Sequence, residues 1–202
     1  MKLFYHPGAC SLSPHIVARE AGIDLTLENV ELQKKVTASG LDFLKINPKG
    51  YVPALQLDNG EILTEGPAII EYLADQKPAT KLAPAAGTWE RYRLQEMLTY
   101  LNSEIHKTYS PLFNPAVTPA ERENKIGYLY KRYALIEQQL SSHKFLLGEQ
   151  FTVADAYLFT LTSWAGHLKI DLSRFPKLQA FQKTVFARNA VQQAMREEGL
   201  IS

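Results

Sequence analysis

The residue of this chain that is best suited to chemistry is its single cysteine, Cys10. It follows a short apolar run at residues 3–5 that predicts a strand. Ser13 and Pro14 predict a helix N-cap and the first helical residue, and Gly22 predicts the helix end. Cys10 is therefore expected in a strand-to-helix loop, about one turn before a helix N-terminus, where N–H groups and the helix dipole stabilise a thiolate. The alternative is a small buried hydrophobic residue.

A second group of polar residues lies in segment 89–107, which its apolar period predicts to be helical. Thr99, Ser103 and His106 repeat at spacings of four and three, and Asn102 lies beside them. This polar stripe is either solvated surface or one wall of a cleft for a polar ligand. The apolar stripe of the same segment consists of Leu94, Leu98, Leu101 and Ile105.

Other residues with reactive side chains are interpreted as structural. Thr152 and Asp155 have the spacing of a capping box before an apolar helix at 157–167, so the Asp155 carboxylate is expected to accept from backbone N–H groups. Tyr5, at a strand end, is interpreted as a core residue. The remaining histidines have no partner pattern and are interpreted as ordinary: His6, His15, His143 and His167.

Composition and charge exclude several classes of function. The 202 residues are 46% hydrophobic and 21% charged, with a formal net charge of +1, as in an ordinary globular protein. No basic block predicts binding to nucleic acid or to an anionic membrane. One cysteine excludes an internal disulfide and indicates a reducing compartment. There is no signal-peptide core and no apolar run of about 20 residues, so we expect a soluble, cytoplasmic protein.

The pattern of elements predicts an α/β domain followed by an all-α domain. Residues 1–77 alternate between strand and helix periods in the order β-α-β-(α)-β-β-α, with a short helix at 42–45, which is typical of a thioredoxin-like domain. Asn59 and Gly60 predict a two-residue hairpin turn in which both residues have positive φ. Residues 78–87 form a proline- and alanine-rich linker. Residues 88–202 are predicted to be entirely helical, and the last long helix is expected at 177–188.

Four segments together resemble the cytosolic glutathione S-transferases, most closely the bacterial beta class. They are residues 2–11 (Lys-Leu-Phe-Tyr-His-Pro-Gly-Ala-Cys-Ser), 47–55, 63–73 and 151–159. A Val-Pro pair followed by Glu-Gly at a helix start is characteristic of the superfamily, and a cysteine at position 10 with Leu-Xaa-Xaa-Glu-Ile-His ending at 106 narrows the resemblance to the beta class. The resemblance covers essentially the whole chain.

The resemblance implies a binding site for glutathione as co-substrate in the first domain. The Val52–Pro53 bond would be cis and would turn the backbone groups of Val52 toward the tripeptide, which is then held like an added strand. Glu65 would accept from the glutathione ammonium, and the N–H of Gly66 would bind the γ-glutamyl carboxylate. Lys35 is assigned to the glycyl carboxylate, although the sequence alone would not prefer it to Lys34.

In the second domain the resemblance implicates positions 99, 103 and 106. Position 99 is often asparagine in relatives and reaches the glutathione of the partner subunit in a homodimer. Thr99 is shorter and lacks the amide, so this contact is in question, and Asn102 could substitute for it.

The group that activates the glutathione thiol is left open. Other classes use a tyrosine or serine near the first strand, where Tyr5 and Ser11 lie. The beta class points instead to Cys10, with His106 and Lys107 on the opposite wall. In that position His106 would suit a positional or an acid–base role, because a free imidazole titrates near neutral pH.

The sequence and the family resemblance leave three candidate functions. The first is conjugation of glutathione to small hydrophobic electrophiles in detoxification, with residues near 109–113 lining the hydrophobic half of the cleft. The second is glutaredoxin-like thiol–disulfide exchange through Cys10. The third is ligand binding without useful turnover. No metal is expected in any of them.

Overall fold

A computed structural model describes the whole chain, residues 1–202. Its strands are β1 (Lys2–Tyr5), β2 (Thr26–Glu31), β3 (Val36–Thr37), β4 (Ala54–Gln56) and β5 (Ile62–Thr64). Its α-helices are α1 (Leu12–Glu20), α2 (Phe43–Ile46), α3 (Gly66–Asp75), α4 (Trp89–Tyr100), α5 (Lys107–Tyr109), α6 (Pro119–Ser142), α7 (Val153–His167), α8 (Pro176–Phe186) and α9 (Asn189–Glu197). Leu101–His106 is π-helical, and Pro78–Thr80 and Ser110–Phe113 form 3-10 helices. None of these helices is long and apolar enough to cross a membrane.

The chain divides into two compact units, Met1–Ala83 together with Ala187–Ser202, and Pro84–Phe186. The first contains a sheet of strand order β3-β2-β1-β4-β5, in which β1 and β2 are parallel and the other pairs are antiparallel. One core cluster of this unit contains Phe4, Val30, Phe43, Val52 and Ala54. This mixed sheet with helices, followed by helices alone, confirms the predicted thioredoxin-like fold and helical second part.

Helix α1 begins one residue after Ser11, so the predicted N-cap at Ser13 is wrong. Ser13 lies inside the first turn, where its hydroxyl donates to the Cys10 carbonyl at 2.8 Å. Cys10 therefore directly precedes the N-cap residue and does not lie a full turn away. The predicted end is confirmed: Gly22 has φ +64°, and the N–H of Ile23 donates to the carbonyl of Ala18, which is the bond of a Schellman motif.

The hairpin between β4 and β5 has a three-residue loop in place of the predicted two-residue turn. Gly60 has φ +90°, whereas Asn59 is absent from the residues with positive φ. The N–H of Gly60 donates to the Leu57 carbonyl, and the N–H of Leu57 donates to the Glu61 carbonyl. This is the pattern of a turn followed by a bulge, which requires left-handed backbone only at the glycine.

The first helix of the second unit begins at Trp89, as predicted, but the helix is not α-helical after Tyr100. All four residues of the apolar stripe are buried: Leu94, Leu98, Leu101 and Ile105. After Tyr100 the helix widens into the π-helical segment Leu101–His106. A π-helix has more residues per turn than an α-helix, so the side-chain positions after Tyr100 shift relative to an α-helical period.

The end of the chain also differs from the prediction. The last predicted helix ends at Phe186 rather than at 188, and an additional helix, α9, follows it. Helix α9 packs against α1 in the first unit. The placement of α9 is set by contacts with residues far away in the sequence, which periodicity does not report.

Candidate active site

The loop His6–Ser11 between β1 and α1 carries Cys10 and is closed by Ser11. The Ser11 hydroxyl accepts from the backbone N–H of His6 at 3.1 Å and donates to the His6 carbonyl at 3.2 Å. Ser11 is fully buried. The contacts of Ser11 thus hold the loop in shape, and its assignment to catalysis stays a prediction.

Cys10 contacts the segment that contains the predicted cis bond. The Val52–Pro53 peptide is cis, and the Cys10 thiol donates to the Val52 carbonyl at 3.2 Å. The structure therefore brings Cys10, Val52 and Pro53 together within the first unit. The cysteine is free and partly accessible.

Two opposing effects act on the pKa of the Cys10 thiol. Burial raises the pKa of Cys10 to about 12, and the negative charge of Glu65 adds to the increase. The N–H groups of Cys10 and Ser11 lower the pKa but do not offset burial. Desolvation of the charged sulfur thus acts against the helix terminus, which alone would favour the thiolate.

Lys35 and Glu65 both contact the turn that precedes the cis bond. The Lys35 ammonium donates to the Gly50 carbonyl at 2.6 Å, and the Glu65 carboxylate accepts from Lys49 at 2.6 Å. Lys34, the alternative to Lys35, is paired with Glu31 instead. An ammonium group already lies on the Glu65 carboxylate, which is the interaction predicted for the glutathione ammonium.

Two residues of this region adopt left-handed backbone although neither is glycine. Lys35 has φ +56° and Glu65 has φ +71°. Such conformations cost about 1–3 kcal/mol and are found mainly at functional sites. Glu65 is the N-cap residue of α3, yet its side chain does not cap the helix that Gly66 opens.

Asn47 organises the turn and was not predicted from the sequence. Its amide donates to the Tyr51 carbonyl at 2.8 Å, and its side-chain oxygen accepts from the N–H of Lys49 at 3.2 Å. Asn47 is 1% exposed. The sequence Asn-Pro-Lys-Gly is typical of a turn, because asparagine side chains bond to nearby backbone groups. It does not indicate that this turn contacts the predicted site residues.

In the second unit, His106 contacts two aromatic residues of α7. Its Nδ1 lies 2.6 Å from the Tyr157 hydroxyl, which in turn donates to the Asn102 side-chain oxygen at 2.9 Å. The Trp164 ring lies 5.1 Å from the imidazole, centroid to centroid. Tyr157 was not predicted as a site residue, since a buried aromatic in an apolar helix has no distinguishing sequence signal.

The other predicted residues of this unit do not join His106. Thr99 donates its hydroxyl to the Gln95 carbonyl within its own helix, at 2.8 Å. Ser103 and Lys107 line a cavity of about 420 Å³. The other residues that line this cavity are Thr108, Asn124, Lys125 and Tyr128.

The aromatic residues near 109–113 have two different environments. Tyr109 is fully buried, and its hydroxyl bonds with that of Tyr133 at 2.9 Å, so it is a core residue. Phe113 is 45% exposed, lies 5.4 Å from the Trp164 ring and stacks on His167. Of the two, Phe113 presents an apolar ring at the surface.

Two domain families of known proteins match the N-terminal and the C-terminal parts of the chain. The N-terminal domain family of glutathione S-transferases matches residues 8–76, and the C-terminal domain family matches residues 100–189. The glutathione S-transferase GstA of Escherichia coli O157:H7 is 44% identical over 99% of this chain and 100% of its own length.

Solved structures agree with these matches. A ternary complex of BphK, a bacterial GST, is 54% identical with a TM-score of 0.98, over 99% of this chain and 100% of its own. A beta class enzyme from Sphingomonas chungbukensis and a sphingomonad enzyme complexed with glutathione are each 44% identical over 100% of both chains, with TM-scores of 0.96. The chain therefore belongs to the glutathione S-transferase family and groups with its bacterial beta class, as the sequence predicted.

Proposed function

We propose that the protein conjugates reduced glutathione to small hydrophobic electrophiles and also exchanges disulfides through Cys10. The observation that carries this proposal is the set of contacts around residues 47–53. Cys10, Lys35 and Glu65 each bond to that segment through a different residue. The cytoplasmic location, the detoxifying role and the homodimer of the family are part of the same proposal.

The binding step follows from the groups on this segment. Glutathione is an extended peptide, and the backbone of Val52 before the cis bond would pair with it as an edge strand does. Glu65 would exchange Lys49 for the glutathione ammonium. Lys35 would bind the glycyl carboxylate, and the N–H of Gly66 at the start of α3 would bind the γ-glutamyl carboxylate. The complex of a 44% identical relative with glutathione supports this ligand.

In conjugation, the nucleophile is the thiolate of glutathione rather than a sulfur of the protein. The thiol loses its proton, the sulfur attacks the electrophilic carbon, and a leaving group such as a halide departs. His106 would support the bound thiolate, and Phe113 with Trp164 would contact an apolar electrophile.

In disulfide exchange, the Cys10 sulfur attacks oxidised glutathione. A Cys10–glutathione disulfide forms, one glutathione leaves as thiolate, and that thiolate is then protonated. The reaction requires Cys10 to lose the proton that it donates to Val52. We therefore expect the exchange to accelerate as the pH rises.

A Cys10→Ala variant separates the two activities. Incubation of the wild-type protein with oxidised glutathione should add about one glutathione mass, which dithiothreitol removes and which Cys10→Ala abolishes. Conjugation of an aromatic halide should survive in Cys10→Ala and fall further in His106→Ala. Loss of both activities in Cys10→Ala with glutathione binding intact would contradict this division of roles. A wild-type protein that binds glutathione but turns over neither substrate would be a ligand-binding protein.

A further inference from the structure

The ammonium group of Lys49 bonds to two neighbouring residues where β5 ends and α3 begins. It donates to the Glu65 carboxylate at 2.6 Å and to the Thr64 hydroxyl at 2.9 Å. The side chains of Lys49 and Glu65 are 46% and 50% exposed. The hydrogen bond to Glu65 raises the pKa of Lys49, so Lys49 is charged at neutral pH. An ion pair at this exposure can open without unfolding of the surrounding protein.

Hydrogen bonds hold the backbone on both sides of this pair. The N–H of Lys49 donates to Asn47 Oδ1 at 3.2 Å, and the N–H of Gly50 donates to the Asn47 carbonyl at 2.9 Å. The carbonyl of Glu65 accepts from the N–H of Ile69 in α3 at 3.0 Å. The ammonium group of a ligand could therefore replace that of Lys49 on the carboxylate by movement of one side chain, without a change in the fold.

The backbone of Glu65 indicates that its carboxylate is placed for a ligand. Glu65 has φ +71°, in the left-handed region that a residue with a side chain rarely adopts. An exposed ion pair such as that with Lys49 contributes little to folding stability, so it does not explain this conformation. Strained backbone is found mainly at functional sites.

We propose that Lys49 competes with the ammonium group of the ligand for Glu65 and thereby determines how strongly the site selects ligands that carry one. A ligand with an ammonium group must displace Lys49, which weakens its binding. A ligand without this group leaves Lys49 in place, where Lys49 neutralises Glu65 beside the carboxylate of the ligand. The proposal rests on the proposed function, in which Glu65 binds the glutathione ammonium. It adds that Lys49 lowers the selectivity of the site.

Two ligands distinguish this competition from a general effect of charge. They are reduced glutathione and glutaryl-cysteinylglycine, in which a hydrogen replaces the α-amino group of the γ-glutamyl residue. Dissociation constants of both are measured by calorimetry for the wild-type protein and for Lys49→Met. Loss of an attractive positive charge alone would weaken the binding of both anionic ligands.

Competition predicts effects of opposite sign on the two ligands. Lys49→Met should lower Kd for glutathione about two- to fivefold, which is the range that an exposed ion pair supplies. The same variant should raise Kd for glutaryl-cysteinylglycine about twofold or more, because the carboxylate of this ligand then lies beside a Glu65 that Lys49 no longer neutralises. The ratio of the two constants therefore changes more than either constant alone.

Two further variants control for charge and for the route of the effect. Lys45→Met removes the same charge from an exposed lysine of α2 and should change both constants by less than about twofold, because solvent and salt screen exposed charges. In a Glu65→Gln background, Lys49→Met should no longer tighten glutathione binding, because the two residues act as one pair.

The outcomes separate this proposal from the proposed function. Glutathione binding that Lys49→Met leaves unchanged or weakens would overturn the competition alone, and so would tightening that persists in the Glu65→Gln background. A wild-type protein without affinity for glutathione would contradict the proposed function and, with it, the competition.

Discussion

The Glu198 carboxylate accepts a hydrogen bond from the backbone N–H of Gly8 at 2.9 Å, across 190 positions of sequence. Its other oxygen lies 2.9 Å from His15 Nδ1, and Glu197 contacts the Nε2 of the same ring at 2.7 Å. Both ring nitrogens of His15 thus face a carboxylate oxygen. The end of the chain is thereby connected to the loop that carries Cys10.

Removal of the Glu198 carboxylate should destabilise this connection strongly. Both the Glu198 and His15 side chains are fully buried, and breaking a buried pair costs about 3–5 kcal/mol. We expect Glu198→Ala to lower the free energy of unfolding by about 3 kcal/mol or more in urea denaturation. Glu123→Ala, at an exposed glutamate of α6, is the control and should remain within about 0.5 kcal/mol of wild type. Equal effects of the two variants would contradict the structural role of Glu198.

The sequence could not indicate the partners of His15, for a physical reason. Its partners, Glu197 and Glu198, are more than 180 residues away, and no local pattern can report such a contact. Gly22 and Asn59-Gly60 were informative because backbone conformation in a turn depends on neighbouring residues. The desolvation that raises the pKa of Cys10 likewise depends on the tertiary environment, which local sequence does not report.

The parts of the candidate site that belong to a sequence motif could be predicted, whereas the parts that depend on packing between distant segments could not. The Val52–Pro53 bond and the loop of Cys10 were located from sequence and from the family resemblance. Tyr157 was not found, since its significance depends on meeting His106 across two helices. The π-helical turn left no sequence signal either, because the apolar residues on both sides of it keep ordinary helical spacing.

Asp155 is expected to be structural rather than a ligand-binding residue. It is fully buried, and its carboxylate accepts from the N–H groups of Leu146 and Thr152, both at 2.8 Å. Asp155→Ala leaves buried donors unpaired, which should lower the free energy of unfolding by roughly 2–5 kcal/mol. Asp171→Ala removes an exposed carboxylate that also accepts from a nearby N–H, and should cost under about 1 kcal/mol. Weaker glutathione binding in Asp155→Ala with an unchanged denaturation midpoint would show that Asp155 belongs to the site.

Lys35 and Lys34 offer a matched pair for the glycyl carboxylate of glutathione. The Lys35 ammonium is fixed on the Gly50 carbonyl, whereas the Lys34 side chain is 77% exposed. A charge-assisted hydrogen bond contributes about 1.5–3 kcal/mol, so Lys35→Met should raise KM for glutathione about 10-fold or more. Lys34→Met should leave KM within about twofold. The same increase in both variants would indicate general charge attraction in place of a specific contact.

The raised pKa of Cys10 should make folding stability fall at alkaline pH. In the unfolded chain the thiol has its ordinary pKa of about 9.0, and in the folded protein burial raises it to about 12. Between these values the unfolded chain has lost the proton that the folded protein keeps, so the stabilising contribution is complete below about pH 9 and decreases as the pH rises toward 12. The free energy of unfolding of wild type should therefore decline more steeply between pH 8 and 10 than that of Cys10→Ser, in which the hydroxyl does not titrate in this range.

Thiolate absorbance at 240 nm provides an independent check, because the folded wild-type protein should show none near pH 7. A thiolate signal that titrates close to neutral pH would mean that the helix terminus, rather than burial, determines the ionisation of Cys10.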